Sequence, residues 1–198
     1  ASGSKAKFCA VKPVPEYRAD IIHKPAFLSR RRADALLEWC VSSQVSWRQE
    51  YFNAFGKRVA VPRLLAWFGD EGVNYRYTGL NHPASGWPEE LLGLRQAVEE
   101  AAGCVFNFLL LNRYEVGRHH MGWHKDDEQG AAPWIASLSL GAIRRFRIQS
   151  DEGVVAYDLE PGSLLLFDGR MRHMLAPTRK EVGCRVNLTF RLIGTTGA

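Results

Sequence analysis

The sequence predicts a mainly β chain of the α+β kind: a β-sandwich or jelly-roll barrel carrying two supporting helices. Three observations lead there. From residue 105 onward short apolar runs recur, divided by turn residues, at 105–114, 119–124, 134–140, 143–149, 153–159, 163–167 and 184–193. Several short strands at such spacing are the mark of sandwiches and barrels. Helical spacing occurs in two stretches, both before residue 105. The length of 198 residues fits one domain with a good core.

Residues 1–15 are polar and interrupted by proline, and read as a flexible arm ahead of a single domain over 16–198. Ser29 precedes Arg30-Arg31-Arg32 and a run from Ala33 to Gln44 in which Ala33, Leu36, Leu37 and Cys40 share a helix face. Three arginines in a first turn oppose the helix dipole. They read as a solvated basic end, with phosphate contact as the other use. Residues 45–80 look β-rich: Trp47, Tyr51 and Phe52, a turn at Phe55-Gly56-Lys57, then Val59, Val61 and Pro62. The segment Val73-Asn74-Tyr75-Arg76-Tyr77-Thr78 alternates, so Tyr75 and Tyr77 share a face. Pro88-Glu89-Glu90 opens a second helix that runs to about Ala102, with Gly103 as its stop. Both helices are expected on one outer face of the barrel.

Hydrophobic content is 46% and charged content 24%, ordinary for a globular chain. Net charge of +5 and a pI near 9.2 favour a polyanionic partner, though a merely basic surface has the same composition. Cys9, Cys40, Cys104 and Cys184 are widely spaced, without a C-x-x-C pair, which excludes a zinc ribbon or a disulfide framework. No apolar run is long enough to span a membrane. The chain reads as cytosolic, or nuclear in a eukaryote, and as a monomer.

Chemistry concentrates in Trp123-His124-Lys125-Asp126-Asp127-Glu128. In extended backbone His124 and Asp126 project the same way. An imidazole and a carboxylate side by side make two thirds of a 2-His-1-carboxylate facial triad, which suits Fe(II) and leaves coordination positions open. The second histidine is a choice among His173, His119 and His120; His23 and His82 fall in expected loops and read as structural or exposed.

The strand Arg185-Val186-Asn187-Leu188-Thr189-Phe190-Arg191-Leu192 has an apolar face and a face of Arg, Asn, Thr and Arg. One reading is a half-buried strand with a wet face. The other turns the polar face inward, where two arginines roughly 20 Å apart reach from opposite ends toward a small dicarboxylate. On the segment 106–114, Phe106, Phe108, Leu110, Asn112 and Tyr114 share a face, with Asn112 and Tyr114 available to an acid. His173 follows the run 163–167 and a turn, and is expected to lead into the arginine strand by a short hairpin.

With these residues assembled, the chain resembles the AlkB family of Fe(II)/2-oxoglutarate-dependent nucleic-acid dealkylases over about residues 25–193. Asn112-x-Tyr114, His124-x-Asp126, His173 and Arg185-x-Asn187-x-Thr189-x-Arg191 carry the resemblance, supported by Phe55-Gly56-Lys57, Val61-Pro62-Arg63 and Gly69-Asp70-x-Gly72. It implies a double-stranded β-helix core at about 105–193 with a nucleotide-recognition β extension at about 45–80. It assigns iron to His124, Asp126 and His173, one end of 2-oxoglutarate to Arg191 and Asn112, and the other to Arg185, Tyr114 and Asn187. Phe55, Arg63, Tyr75, Tyr77, Thr78, Asp127 and Glu128 fall on the substrate side, with Phe55 as the residue that fills the gap left by a flipped base. The implied reaction is oxidative demethylation of bases such as 1-methyladenine or 3-methylcytosine. It consumes O₂ and 2-oxoglutarate and releases succinate and formaldehyde. The implied partner is alkylated DNA, single- or double-stranded, with RNA as a further candidate.

Two features depart from the duplex-acting relatives it most resembles. The hairpin Gln149-Ser150-Asp151-Glu152-Gly153 is short where they carry a long basic insertion, and Arg179-Lys180-Glu181 interrupts a basic patch with an acid. The alternatives are an oxygenase of this fold acting on protein or a small molecule, and a non-catalytic jelly-roll binding module.

Overall fold

The computed structural model describes residues 20–54, 56–77 and 79–194. The expected arm at 1–15, Phe55 and Thr78 lie outside them. Among the described residues the order is β1 Ile22–Lys24, α1 Arg30–Val41, β2 Arg48–Ala54, β3 Lys57–Gly69, β4 Asn74–Tyr77, β5 Leu80–Pro83, α2 Glu89–Ala102 and β6 Phe108–Tyr114. Then follow β7 Met121–His124, β8 Trp134–Gly141, β9 Arg144–Ser150, β10 Gly153–Leu159, β11 Leu164–Asp168, β12 His173–Leu175 and β13 Arg185–Arg191.

Local chemistry explains the helix ends. Ser29 has extended backbone, and its Oγ accepts from the Arg32 N–H at 3.4 Å, so the arginines form the first turn of α1. The helix therefore starts at Arg30, directly after the cap that the sequence suggested. Arg30 pairs with Asp34 one turn on at 2.8 Å, which softens the unfavourable basic start. In α2, Glu89 and Glu90 in the first turn suit the dipole, and Gly103 ends the helix in the left-handed region at φ 67°.

Two antiparallel sheets face each other. Seven strands pair in the order β1-β11-β8-β13-β6-β3-β2, four in the order β10-β9-β12-β7, and β4-β5 form a separate hairpin. The outer face of the larger sheet is apolar. Leu109, Leu111, Leu138, Leu140, Val186 and Leu188 pack there in one cluster with Ala33 and Cys40 of α1 and Leu91, Leu94 and Val98 of α2. Each large aliphatic side chain buried in this way contributes about 1.5–3 kcal/mol. Both helices thus cover one outer face, as the sequence suggested.

Three local expectations change. Phe106 precedes β6 and joins the outer cluster with Leu109 and Leu111, so it does not share the face of Phe108 and Leu110. His23 and His82 lie on β1 and β5, not in loops. No hairpin joins His173 to the arginine strand: β12 pairs with β7 and β9 in the smaller sheet, while β13 pairs with β6 and β8 in the larger one. The connection crosses between the sheets and places His173 opposite the polar face of β13.

Pro62 sits inside the 13-residue β3, where its missing N–H would break a ladder. The register with β2 shifts there, between Gln49 and Tyr51, and Gln49 Nε2 donates to the Val61 carbonyl at 2.7 Å. This bulge lets β3 continue from a hairpin with β2 into pairing with β6 from Leu64 to Gly69.

Candidate metal and co-substrate site

His124 ends β7 and His173 begins β12, and the two are directly paired in the ladder. Their ring centroids lie 4.2 Å apart. Asp126 follows two residues after His124, held because its N–H donates to the Gly169 carbonyl at 2.8 Å. Gly169 allows this approach: a Cβ there would lie 2.7 Å from the Asp126 carbonyl oxygen and 2.6 Å from Ile135. One ligand atom from each of His124, Asp126 and His173 falls within 4.8 Å of the others.

The hydrogen bonds around the three select the atoms left over. Nδ1 of His124 faces the Gly122 carbonyl at 2.8 Å, and Nδ1 of His173 faces the Met171 carbonyl at 2.7 Å. A carbonyl only accepts, so each Nδ1 carries hydrogen and each Nε2 presents its lone pair. Nε2 of His124 lies 3.5 Å from Asp126 Oδ1, and Nε2 of His173 lies 3.8 Å from Oδ2. Two ligands at right angles on one first-row metal stand about 3 Å apart, so a small contraction brings the set together. Asp126 Oδ2 accepts from Arg191 at 2.9 Å, whereas Oδ1 is buried without a hydrogen-bond partner. Burial alone would raise the Asp126 pKa, but Arg191 and the two imidazoles outweigh it and hold the carboxyl well below the usual range. His119 and His120 stand apart from this set: Nδ1 of His119 accepts from the Glu115 N–H, and Nδ1 of His120 faces the Arg118 carbonyl.

The polar face of β13 is fully inside; all seven residues of the strand are buried. Across the ladder with β6, Arg185 pairs with Tyr114, Asn187 with Asn112 and Thr189 with Leu110. On the β8 side the same three meet Gly141, Ser139 and Ser137. Arg185 donates to Ser139 Oγ at 3.0 Å, and Asn187 donates to Ser137 Oγ at 2.8 Å. Arg185 has no carboxylate partner among the described residues, and its Nε has no hydrogen-bond partner. Burial lowers its pKa to about 10, Tyr114 pulls it back up, and the cation of Arg144, itself buried, pushes it down again.

These groups line one cavity with about 510 Å³ of empty space, part of it open to solvent. It brings together His124, Asp126 and His173 with Asn112, Tyr114, Arg185, Asn187 and Tyr77. Arg191 is not among its lining residues: its guanidinium reaches Asp126 at Oδ2 and at the backbone carbonyl, and Glu128 at 3.4 Å. Asn112 Oδ1 is taken by Arg63 Nε at 2.8 Å, and Arg63 also donates to the Tyr77 hydroxyl at 2.8 Å. Arg63 is therefore buried between two cavity walls.

Among the residues expected on the substrate side, Tyr75 and Tyr77 stack with ring centroids 5.6 Å apart. Tyr77 faces the cavity, while Tyr75 is 2% exposed, packed on Phe108 and on the Arg191 guanidinium. Its hydroxyl donates to Glu128 at 2.9 Å. Burial and Asp126 raise the Glu128 pKa against the pull of Arg191. Asp127 is exposed beside them. Behind the tyrosines His82 is 1% exposed, with its ring nitrogens facing Glu50 at 2.7 Å and the Tyr75 carbonyl at 3.1 Å.

Ser137, Ser139, Gly169 and Arg144 are site neighbours that the sequence motifs do not single out. Ser137-x-Ser139 inside the apolar run 134–140 was a usable signal, because two hydroxyls at period two on a buried strand need partners.

The 2OG-Fe(II) oxygenase superfamily matches residues 20–191. The chain belongs to that superfamily, in its AlkB branch. It is 40% identical over 167 residues to the mouse DNA oxidative demethylase ALKBH2, covering 73% of this chain and 70% of that protein. The human ALKBH2 is also 40% identical over 167 residues, with 64% of its length covered. The bovine alpha-ketoglutarate-dependent dioxygenase alkB homolog 3 is 33% identical over 187 residues, which cover 85% of this chain and 64% of the relative. The chain thus spans about two thirds of the length of these relatives. Among solved structures, OsALKBH1 superposes with a TM-score of 0.63 at 18% identity over 89% of this chain and all of the other, which is a likeness of fold. As a 2OG-Fe(II) oxygenase it uses Fe(II), 2-oxoglutarate and O₂.

Its own residues fit both groups. For the metal of a 2OG-Fe(II) oxygenase, the orphaned Asp126 Oδ1 and two histidines fixed as Nε2 donors supply three converging ligand atoms. For a dianionic co-substrate, Arg185 is a buried cation with no acid beside it, and such a charge is costly unless an anion joins it. No helix among the described residues of this oxygenase is long and apolar enough to cross a membrane.

Proposed function

We propose that the chain removes N-linked methyl groups from alkylated DNA bases of the 1-methyladenine and 3-methylcytosine type. The observation that carries this reading is one cavity lined by His124, Asp126 and His173, by the unneutralised Arg185, and by the aromatic wall of Tyr77. It agrees with the DNA oxidative demethylase activity for which the ALKBH2 relatives are named.

In this reading His124, Asp126 and His173 hold Fe(II). Arg185, with Tyr114 and Asn187 beside it, takes the far carboxylate of 2-oxoglutarate. Fe(II) with that co-substrate and O₂ supplies the oxidation of the N-methyl carbon, with succinate, CO₂ and formaldehyde as products. The protein's share is positioning and electrostatics. Arg191 keeps Asp126 anionic and oriented. Tyr77 offers its face to a cationic methylated base, an attraction of about 0.5–2 kcal/mol. Glu128, anchored by Tyr75, accepts from the base's exocyclic amine. A base that cannot pair leaves its stack at lower cost, which favours damaged over intact sites. Arg63 acts by positioning Asn112 and Tyr77. Residues 45–80 form the nucleotide-recognition part of a single domain over 16–198, working as a monomer. Phe55 and Thr78 belong to that part, Phe55 as the wedge.

The test is incubation with Fe(II), 2-oxoglutarate, ascorbate and oligonucleotides carrying one methylated base, single- and double-stranded DNA and RNA in parallel, followed by mass measurement. Loss of one methyl mass from DNA is expected. No loss on any strand would sink the reading. Asp126→Ala and His173→Ala should each abolish turnover.

A further inference from the structure

The outer face of the smaller sheet, directly behind the metal ligands, carries an aromatic and basic stripe that the cavity does not use. Within the strands, His124 and His173 point inward and their neighbours Trp123 and Met174 outward. Lys125 and Arg172 flank the strand ends and join this face: Arg172 lies over the Trp123 ring, and both line one surface depression. Met174 pairs with Arg147 of β9. Arg172 lies beside Gln149, whose N–H donates to the Arg172 carbonyl at 2.8 Å. Two rows therefore cross the sheet from its β7 edge, Lys125–Arg172–Gln149 and Trp123–Met174–Arg147, with neighbouring strands about 4.8 Å apart.

The stripe is open and its charge is unspent. Trp123 is 38% exposed, and Lys125, Arg147, Gln149 and Arg172 are exposed. Arg172 lies over the Trp123 ring at 5.8 Å. No carboxylate pairs with Lys125, Arg147 or Arg172 among the described residues. The next cation along β9, Arg145, is by contrast paired through two bonds with Asp158. A shallow depression lined by Lys125, Gln149, Arg170 and Arg172 continues the stripe toward the β9–β10 turn, where Asp151 closes it with an acid.

We propose that this stripe binds the single-stranded DNA flanking the reacting base. The flank passes over the β7 edge, one base stacks on Trp123, and backbone phosphates meet Lys125, Arg172 and Arg147. The inference rests on the proposed DNA reaction and adds to it the strand type and the path of the flank. A ring face with cations along one line is what sequence-tolerant single-strand binding requires: stacking for the bases, and phosphate contacts for the backbone. A duplex keeps its bases stacked inside and offers Trp123 no free base face. The β9–β10 turn at this rim has two residues, Asp151 and Glu152, and so supplies no basic arm for a second strand.

Two measurements test it with the full chain. Fluorescence anisotropy of an unmethylated thymidine 15-mer reads binding without turnover. Trp123→Ala is expected to weaken it by about tenfold, within the range set by loss of one stacked base. The triple variant Lys125→Gln/Arg147→Gln/Arg172→Gln is expected to lower the slope of log affinity against log salt by about 2, at about 0.7 per lost phosphate contact on single strands. Demethylation then compares a methylated 15-mer with a methylated trinucleotide, which is too short to cross the stripe. The ratio of their kcat/KM values should fall at least fivefold in Trp123→Ala and in Arg147→Gln. An unchanged ratio and salt slope would overturn the proposal, as would equal loss on both lengths or a duplex 15-mer as dependent on Trp123 as the single strand. Binding that depends on the stripe in a protein that demethylates no strand would instead count against the proposed reaction and leave the stripe standing.

Discussion

Arg191 and Asp126 stand 65 residues apart in the chain and are joined by a 2.9 Å hydrogen bond in the fold. The resemblance gave Arg191 to the co-substrate. In the structure the guanidinium is first a partner of the metal-side carboxylate, taking one oxygen so that the other is left for the ion.

That arrangement predicts the behaviour of Arg191→Met. Removing one member of a buried ion pair destabilises by about 3–5 kcal/mol, and loss of an orienting neighbour weakens a metal site by about 10–100-fold. Fe(II) titration, with Co(II) as the spectroscopic substitute, should show the weaker affinity even at temperatures where the variant stays folded. Wild-type affinity would remove the orienting role.

Arg185 predicts the opposite sign for stability. Its charge is buried and uncompensated, so Arg185→Met should leave the melting temperature of the protein without co-substrate unchanged or higher. The wild type should gain about 2.7 kcal/mol at 2-oxoglutarate one hundredfold above Kd, or roughly 5–10 °C for a chain of this size. The variant should lose that gain. A 2-oxoglutarate shift that persists in Arg185→Met would place the carboxylate elsewhere.

Gly169→Ala tests the close approach behind Asp126. The added methyl would meet the Ile135 Cδ1 at 2.6 Å and the Asp126 carbonyl at 2.7 Å; the side-chain end can shift, but the backbone carbonyl cannot yield without moving Asp126. The expected results are a stability loss of about 1–3 kcal/mol, the usual range for overpacking, and reduced Fe(II) affinity. Serine should behave like alanine, because the clash is at Cβ.

Tyr75→Phe removes only the hydroxyl that anchors Glu128. A hydrogen bond to a charged group is worth about 1.5–3 kcal/mol. Turnover of a methylated oligonucleotide should therefore fall about 10–100-fold in kcat/KM, while Fe(II) and 2-oxoglutarate affinities hold. A parallel fall in all three would mean that the hydroxyl supports the site as a whole.

Features set by local chemistry were legible in the sequence. Ser29 and Gly103 mark helix ends because a cap and a left-handed residue act within a turn. The polar face of β13 stands out because four polar side chains at period two on an otherwise apolar strand need an explanation, but the strand alone fits a wet face as well as a buried one, and its place between β6 and β8 decides. Features that depend on which strands meet were not legible. The three-residue β12 is too short to show alternation, so the sequence suggests a hairpin from His173 into β13, while the ladder puts His173 in the other sheet. The need for glycine at 169 arises from Asp126, 43 positions earlier, and leaves no mark on its own neighbours. Ser137 and Ser139 stand out in the sequence as two hydroxyls at period two in an apolar run, but their partners Asn187 and Arg185 follow only from register.

Glu128 and Asp126 both draw on the same guanidinium, and Tyr75 rests its ring on it. Under the proposed function, with Glu128 on the base and Asp126 on the ion, the two are linked equilibria: whatever changes how Glu128 holds a base also changes how much of Arg191 is left for Asp126, and by reciprocity the bound ion alters the grip on the base. Attempts to retune lesion preference at Glu128 should carry a measurable change in metal affinity, and the two traits should be hard to select apart.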